Sequence, residues 1–186
     1  IRFSDPQLSM VDGVEFGAQT TDLGYARFPN GFGAFRIQAA TFNSTNDIQS
    51  MTTGVVVNEI LASNNTGQVD EAGDFEDWIE LYNNNETDVD LSVLYLTDNG
   101  ESLLKWIIPA GTILPAKGYL IIWADEEQEE GALHTNFKLS AGGEVVVLSD
   151  LLSNVLDSVV YGPQTSDMAY ARIPNGAGNF VIQQPT

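Results

Sequence analysis

The sequence predicts an all-β chain, an antiparallel β-sandwich of the immunoglobulin type. Three observations carry that prediction. Seven short runs rich in β-branched and aromatic residues fall within residues 54–186. Turn compositions separate them, among them Pro109–Gly111, Pro115–Gly118, Ala141–Gly143 and Pro174–Gly176. No segment sustains a helical apolar period with caps at both ends.

Taken in order, residues 1–41 are explained by a repeat. Asp12–Gly31 returns without a gap as Asp157–Gly176, an offset of 145, and the match continues through Phe35/Phe180, Ile37/Ile182 and Thr41/Thr186. Residues 42–186 therefore make one complete period, and residues 1–41 match only the last part of another. A piece of about 40 residues without metal or disulfide rarely folds alone. Residues 1–46 are expected to be closing strands able to pair with another copy, and 47–53 a linker. Val55–Leu61 and Asp77–Tyr82 are the first strands of the full repeat, and Leu91–Leu96, Leu104–Ile108 and Gly118–Trp123 follow. Glu144–Leu148 and Val155–Tyr161 precede the second copy of the closing segment. Tryptophans 78, 106 and 123 lie in apolar runs and are expected in the core rather than on a sugar-binding platform.

Composition excludes several functions. With 26 Asp plus Glu against 7 Lys plus Arg, the formal net charge is -19, which repels nucleic acid and anionic membrane surfaces and favours cations as small partners. The 43% of hydrophobic residues supply a core, so the acidity does not mark a disordered tail. No cysteine is present, which removes disulfides, thiolate zinc sites and a cysteine nucleophile. No apolar run approaches the roughly 18–20 residues of a membrane span. A composition rich in Asn, Thr, Ser and Gly and poor in Lys leads us to expect an extracellular or cell-surface protein. The start at Ile1 reads as an internal one, from processing or fragmentation.

The loop Asn64–Asp77 crowds carboxylates and amides around two glycines. Hard oxygen donors in a flexible loop are what Ca²⁺ requires. The spacing is not that of an EF-hand. Asp70, Asp74 and Asp77 are the candidate calcium ligands, against the reading of a solvated acidic loop. The run Asp125–Glu130 is expected to be an exposed loop kept in water by its charge, with a weak second cation site as the alternative. Glu59 and Glu80 sit in strand-like runs, and alternation makes them outward-facing rather than a hydrolytic pair. His134, the single histidine, has no nucleophile motif to serve and reads as a loop residue. No catalytic residue is identified. Arg27 and Arg172 recur at equivalent repeat positions, where a guanidinium stacked on an aromatic ring or bridging to a carboxylate is the expected role.

A set of motifs in fixed order carries a resemblance: Asn58–Ile60, Asp77–Asn83, Leu94–Asp98, Trp106–Pro109 with Gly111–Pro115, Gly118–Leu120, Asn136–Leu139, Gly143–Glu144 and Tyr170–Gly176. Together they resemble a bacterial lamin tail domain over nearly all of 54–186, with residues 1–46 similar to the closing strands of a preceding domain of that family. Val93 and Ala171 (like Ala26) stand where the family often has Gly. The resemblance implies an immunoglobulin-like sandwich and a non-catalytic module of secreted or surface proteins. The expected function is structural: an extracellular fibre or tandem array in which residues 1–41 pair with other copies or adjacent repeats. The alternative is a spacer or binding module (for protein, glycan or calcium) in a larger secreted enzyme or adhesin.

Overall fold

A computed structural model describes residues 1–19, 21, 23–28, 34–39, 54–92 and 94–186. The expected linker at 47–53 and the family position Val93 lie outside the described residues, as does the Pro29–Gly31 turn. The chain divides into two compact units, Ile1–Ile48 and Gln49–Thr186.

The first unit contains β1 (Arg2–Ser4), β2 (Met10–Gly13), β3 (Leu23–Phe28) and β4 (Ala34–Ala39), paired as two antiparallel hairpins, β1–β2 and β3–β4. Asp5 closes the first turn by accepting hydrogen bonds from the amides of Gln7 and Ser9, the local competition that makes Asp a turn residue.

The second unit runs β5 (Val55–Leu61), β6 (Trp78–Asn83), β7 (Val89–Asp90), β8 (Leu94–Thr97), β9 (Trp106–Ile107), β10 (Ile113–Leu114), β11 (Tyr119–Trp123), β12 (Glu144–Asp150), β13 (Val155–Tyr161), β14 (Ala169–Ile173) and β15 (Asn179–Gln183). Its five-stranded sheet has the order β11-β6-β5-β14-β15, its four-stranded sheet the order β13-β12-β8-β9, and β10 pairs with β7. Every strand pairing is antiparallel. The two larger sheets enclose one core. Val57, Ile60, Ile79 and Leu81 come from one sheet, Leu94, Leu96, Val146, Leu148 and Val159 from the other, and Phe137 from the connection between β11 and β12. The fold is an all-β, immunoglobulin-like sandwich, as the strand pattern predicts.

A bulge in β5 sets which side chains enter that core. The register against β6 shifts between Val57 and Glu59, so Asn58 is the extra residue. Ile60 and Ala62, rather than Glu59 and Leu61, then continue the inward face begun by Val55 and Val57. Leu61 instead joins Trp78, Trp123 and Ala169 in a second apolar cluster on the opposite face. Without the bulge, Glu59 would point into the core.

Two expectations need correction here. Glu59 and Glu80 do lie on the outer face, but they are 0% and 6% exposed. Segments distant in sequence cover them: Thr186 donates its amide and hydroxyl to Glu59, and the Asn58 amide donates to Glu80 at 2.8 Å. They are also direct cross-strand partners. Burial raises both carboxyl groups above the usual carboxylate range; for Glu80 the Asn58 bond works against this and Glu59 adds to it. The Asp125–Glu130 run is likewise not wholly exposed, since Asp125 is buried against His134. All three tryptophans are buried, as expected.

Candidate functional site

Two arrangements stand out, one at the repeated closing hairpin and one where the acidic loop meets His134. In the hairpin β14–β15, Tyr170 pairs with Ile182, Ala171 with Val181 and Arg172 with Phe180. In β3–β4 the partners are Tyr25 with Ile37, Ala26 with Arg36 and Arg27 with Phe35, each 145 positions earlier. The registers are identical.

The side chains repeat as well. Arg172 lies 4.5 Å from the centre of the Phe180 ring, and Arg27 lies 4.5 Å from that of Phe35. Tyr170 stacks on Phe180 at 4.9 Å and Tyr25 on Phe35 at 5.3 Å. Arg172 pairs with Asp157 at 3.0 Å, and Arg27 with Asp12 at 2.5 Å. Stacking and carboxylate bridging, expected as alternatives from the sequence, are both present in each copy.

In the second unit this group holds the bulged strand. Arg172 Nε donates to the Val57 carbonyl at 3.0 Å, and Asp157 Oδ2 accepts from the Val57 amide at 2.9 Å. Asn58, 1% exposed, accepts from the Gly176 amide at 2.9 Å through its Oδ1 and faces Asn175 at 3.4 Å. The Pro-Asn-Gly turn of the hairpin is thereby locked to the bulge of β5. The arginines and the turn are marked in the sequence, but Asp12 and Asp157 are not marked as their partners. The repeat itself, which pairs those two aspartates at equal spacing, held that signal.

The acidic loop is organised by two buried polar hubs. Asn64 donates its side-chain amide to the carbonyls of Gln68 and Glu76 and accepts from the Gly67 amide. Asp70 Oδ1 accepts from the amides of Ala72, Gly73 and Asp74 at 2.8–2.9 Å, with Gly73 at φ +96° permitting the tight turn. Burial opposes the charge on Asp70, but these three amides overcome it and hold its carboxyl below the usual range. Asp77 turns toward Asn64, whose amide it accepts at 3.2 Å. Burial pushes its carboxyl up to about 6.

His134 is brought to this loop by a return of the chain. The Trp123 amide donates to Leu133 and the Thr135 amide to Trp123, both at 2.9 Å, which seats His134 beside the end of β11. The ring is 1% exposed. Its Nδ1 lies 2.5 Å from Asp125 Oδ2 and its Nε2 lies 3.2 Å from Glu71 Oε2. Burial disfavours the imidazolium, but these two carboxylates outweigh it and raise the ring above its ordinary range. Ligand atoms of Asp70, Glu130 and His134 all lie within 4.8 Å of one another. Among the described residues that grouping contains Asp70 but neither Asp74 nor Asp77. The expected loop residue His134 is thus a buried member of a cluster. No motif marks it, because Asp70 and Glu71 lie more than 60 positions away and the nearby Asp125 and Glu130 read as part of a charged run.

The model of one family, Lamin Tail Domain, matches residues 48–163. No curated protein and no solved structure matches the chain.

Proposed function

The chain belongs to the lamin tail domain family, and from that premise we propose that it is a structural module of a secreted or cell-surface bacterial protein, building an extracellular fibre or tandem array through head-to-tail strand contacts. The family is one of non-enzymatic immunoglobulin-like modules. The observation that carries the proposal is the closing hairpin, present twice with one register and one Asp–Arg–aromatic group. In the second unit that group takes hold of the Val57 peptide on β5. The first-unit hairpin carries the same chemistry for a β5-type strand, supplied by another copy or by an adjacent repeat. Phe3, Met10, Val11 and Ile37 of that unit are exposed apolar side chains available for burial in such a contact.

Sedimentation velocity of the 186-residue chain beside residues 54–186 tests this. Concentration-dependent growth in the first and a monomer in the second support it. A monomer at every concentration for the full chain overturns strand-mediated assembly. A second reading, a cation-binding spacer in a larger secreted enzyme or adhesin, draws on the carboxylates around Asp70, where calcium at Asp70, Asp74 and Asp77 is the expectation from sequence. The three buried tryptophans give a glycan platform no support.

A further inference from the structure

We propose that Asp70, Glu130 and His134 form a binding site for a divalent transition-type ion, of which Zn²⁺ is the representative. This stands independently of the assembly reading. The cluster alone would not carry it, because acidic groups gather on many surfaces without an ion. The second observation is Asp70 itself. It is 8% exposed, its Oδ1 is saturated by three loop amides, and its Oδ2 is buried with no hydrogen-bond partner. A buried carboxylate oxygen left without a donor costs free energy. A carboxylate oxygen of Asp70 lies within 4.8 Å of ligand atoms of His134 and Glu130, so a cation seated among the three supplies what Oδ2 lacks.

The histidine is prepared as a ligand. Metal-bound imidazoles commonly direct their second nitrogen at a carboxylate, which fixes ring orientation and tautomer. Asp125, buried and 2.5 Å from Nδ1, does this, and its own Oδ1 is held by the Glu127 amide. With Nδ1 engaged by Asp125, Nε2 is the nitrogen left for the ion. Glu71 Oε2, 3.2 Å from Nε2, is exposed and free to exchange that contact for the ion. Glu130 is exposed and closes by side-chain rotation. Zinc bonds of about 2.0–2.2 Å to nitrogen and carboxylate oxygen require ligand atoms somewhat closer than 4.8 Å, a shift within reach of the exposed Glu130 side chain. A cavity of about 340 Å³ beside His134, lined in part by Trp106, Gln128 and Asn136, offers an approach to the ring.

The donor set decides the class of ion. Calcium takes six to eight oxygens, and an imidazole nitrogen is a poor member of such a shell. One imidazole with two or three carboxylates suits zinc and its neighbours. The site therefore differs from calcium at Asp70, Asp74 and Asp77 in both ligands and metal.

Isothermal titration of the chelator-stripped chain with ZnCl2, and separately with CaCl2, tests the assignment. The expected result is one saturable Zn²⁺ site per chain, weakened at least tenfold in Asp70→Asn and in Glu130→Gln, and no saturable Ca²⁺ heat. Glu130 is exposed, so its substitution keeps the test decisive even where Asp70→Asn perturbs the loop. In ¹⁵N spectra, Zn²⁺ should shift His134 Nε2 and leave Nδ1 bonded to Asp125. Absence of Zn²⁺ heat, or Zn²⁺ heat unchanged in both variants, overturns the proposal. Saturable Ca²⁺ binding lost in Asp74→Asn and Asp77→Asn overturns it in favour of the oxygen-only site.

Discussion

Arg172 donates from Nη2 to both carboxylate oxygens of Asp157 at 3.0 Å, and the pair closes around the Val57 peptide. Both side chains are largely buried, at 18% and 14% exposure. Removing the arginine strands a buried carboxylate and frees the Val57 carbonyl. Arg172→Ala is expected to lower stability by about 2–3 kcal/mol in urea unfolding. A double-mutant cycle with Asp157→Ala should show coupling of about 1 kcal/mol or more. Strict additivity would mean that the two residues act separately.

Asn58 is the residue the bulge exists to place. It joins Glu80, Asn175 and Gly176 across two strands and a turn. Asn58→Ala leaves the Gly176 amide and Glu80 short of a partner inside the structure, and should cost about 2–3 kcal/mol by thermal or chemical unfolding. Asn58→Asp is expected to be worse at neutral pH, because it sets a third carboxylate beside Glu80 and Glu59. A loss below about 0.5 kcal/mol for the alanine variant would show that water replaces the lost contacts.

Gly143 has φ +100°, and a Cβ there would sit 2.6 Å from the Tyr161 carbonyl oxygen, backbone that cannot swing aside. Gly143→Ala should therefore destabilise the β12–β13 pairing by about 2 kcal/mol or more. Amide exchange along Glu144–Leu148 would report it, and unchanged protection there would contradict the steric argument.

The buried pair Glu59 and Glu80 gives the stability a pH dependence of defined sign. Their folded carboxyl groups titrate above the usual range, so the folded state binds more protons than the unfolded state between the two values. Stability from these groups is present below the ordinary glutamate range and falls as pH rises through the raised values. Glu80→Gln, which keeps an acceptor for Asn58, is expected to be more stable than the parent at pH 7.5 and no different near pH 4. Melting curves at the two pH values check this, and a constant offset between parent and variant would rule out the ionisation as cause.

Much of the architecture is legible in the sequence because it rests on local patterns. The bounds of β5 and β13 match the expected Val55–Leu61 and Val155–Tyr161, and β6 is displaced by a single residue. The expected Leu91–Leu96 strand is shorter, at Leu94–Thr97, since Leu91 is bonded to Thr112 outside the ladder. The stacked arginines were legible through the repeat. Burial of Glu59 and Glu80 was not, because alternation reports which face a residue takes but not what covers that face. Here the cover comes from Thr186, 127 positions beyond Glu59. His134 was illegible for the same reason: the carboxylates that define its role lie up to 64 positions away, at Asp70, Glu71 and Asp125. A single histidine between an acidic run and a strand is a weak sign that becomes meaningful only when the chain returns beside Trp123.

The order β5-β14-β15 also fixes how the sandwich meets tension. Antiparallel pairing on both sides of β14 makes β5 and β15 run in the same direction. A pull entering before Val55 and leaving after Gln183 therefore acts along the strands in opposite senses, shearing β5 against the closing hairpin rather than peeling it bond by bond. The Val57 contact to Arg172 and the Thr186 contacts to Glu59 lie across that shear plane and must break together. Rupture under load is governed by the unfolding barrier, so the bulge that Asn58 creates in β5 is also the place where the module resists being drawn apart.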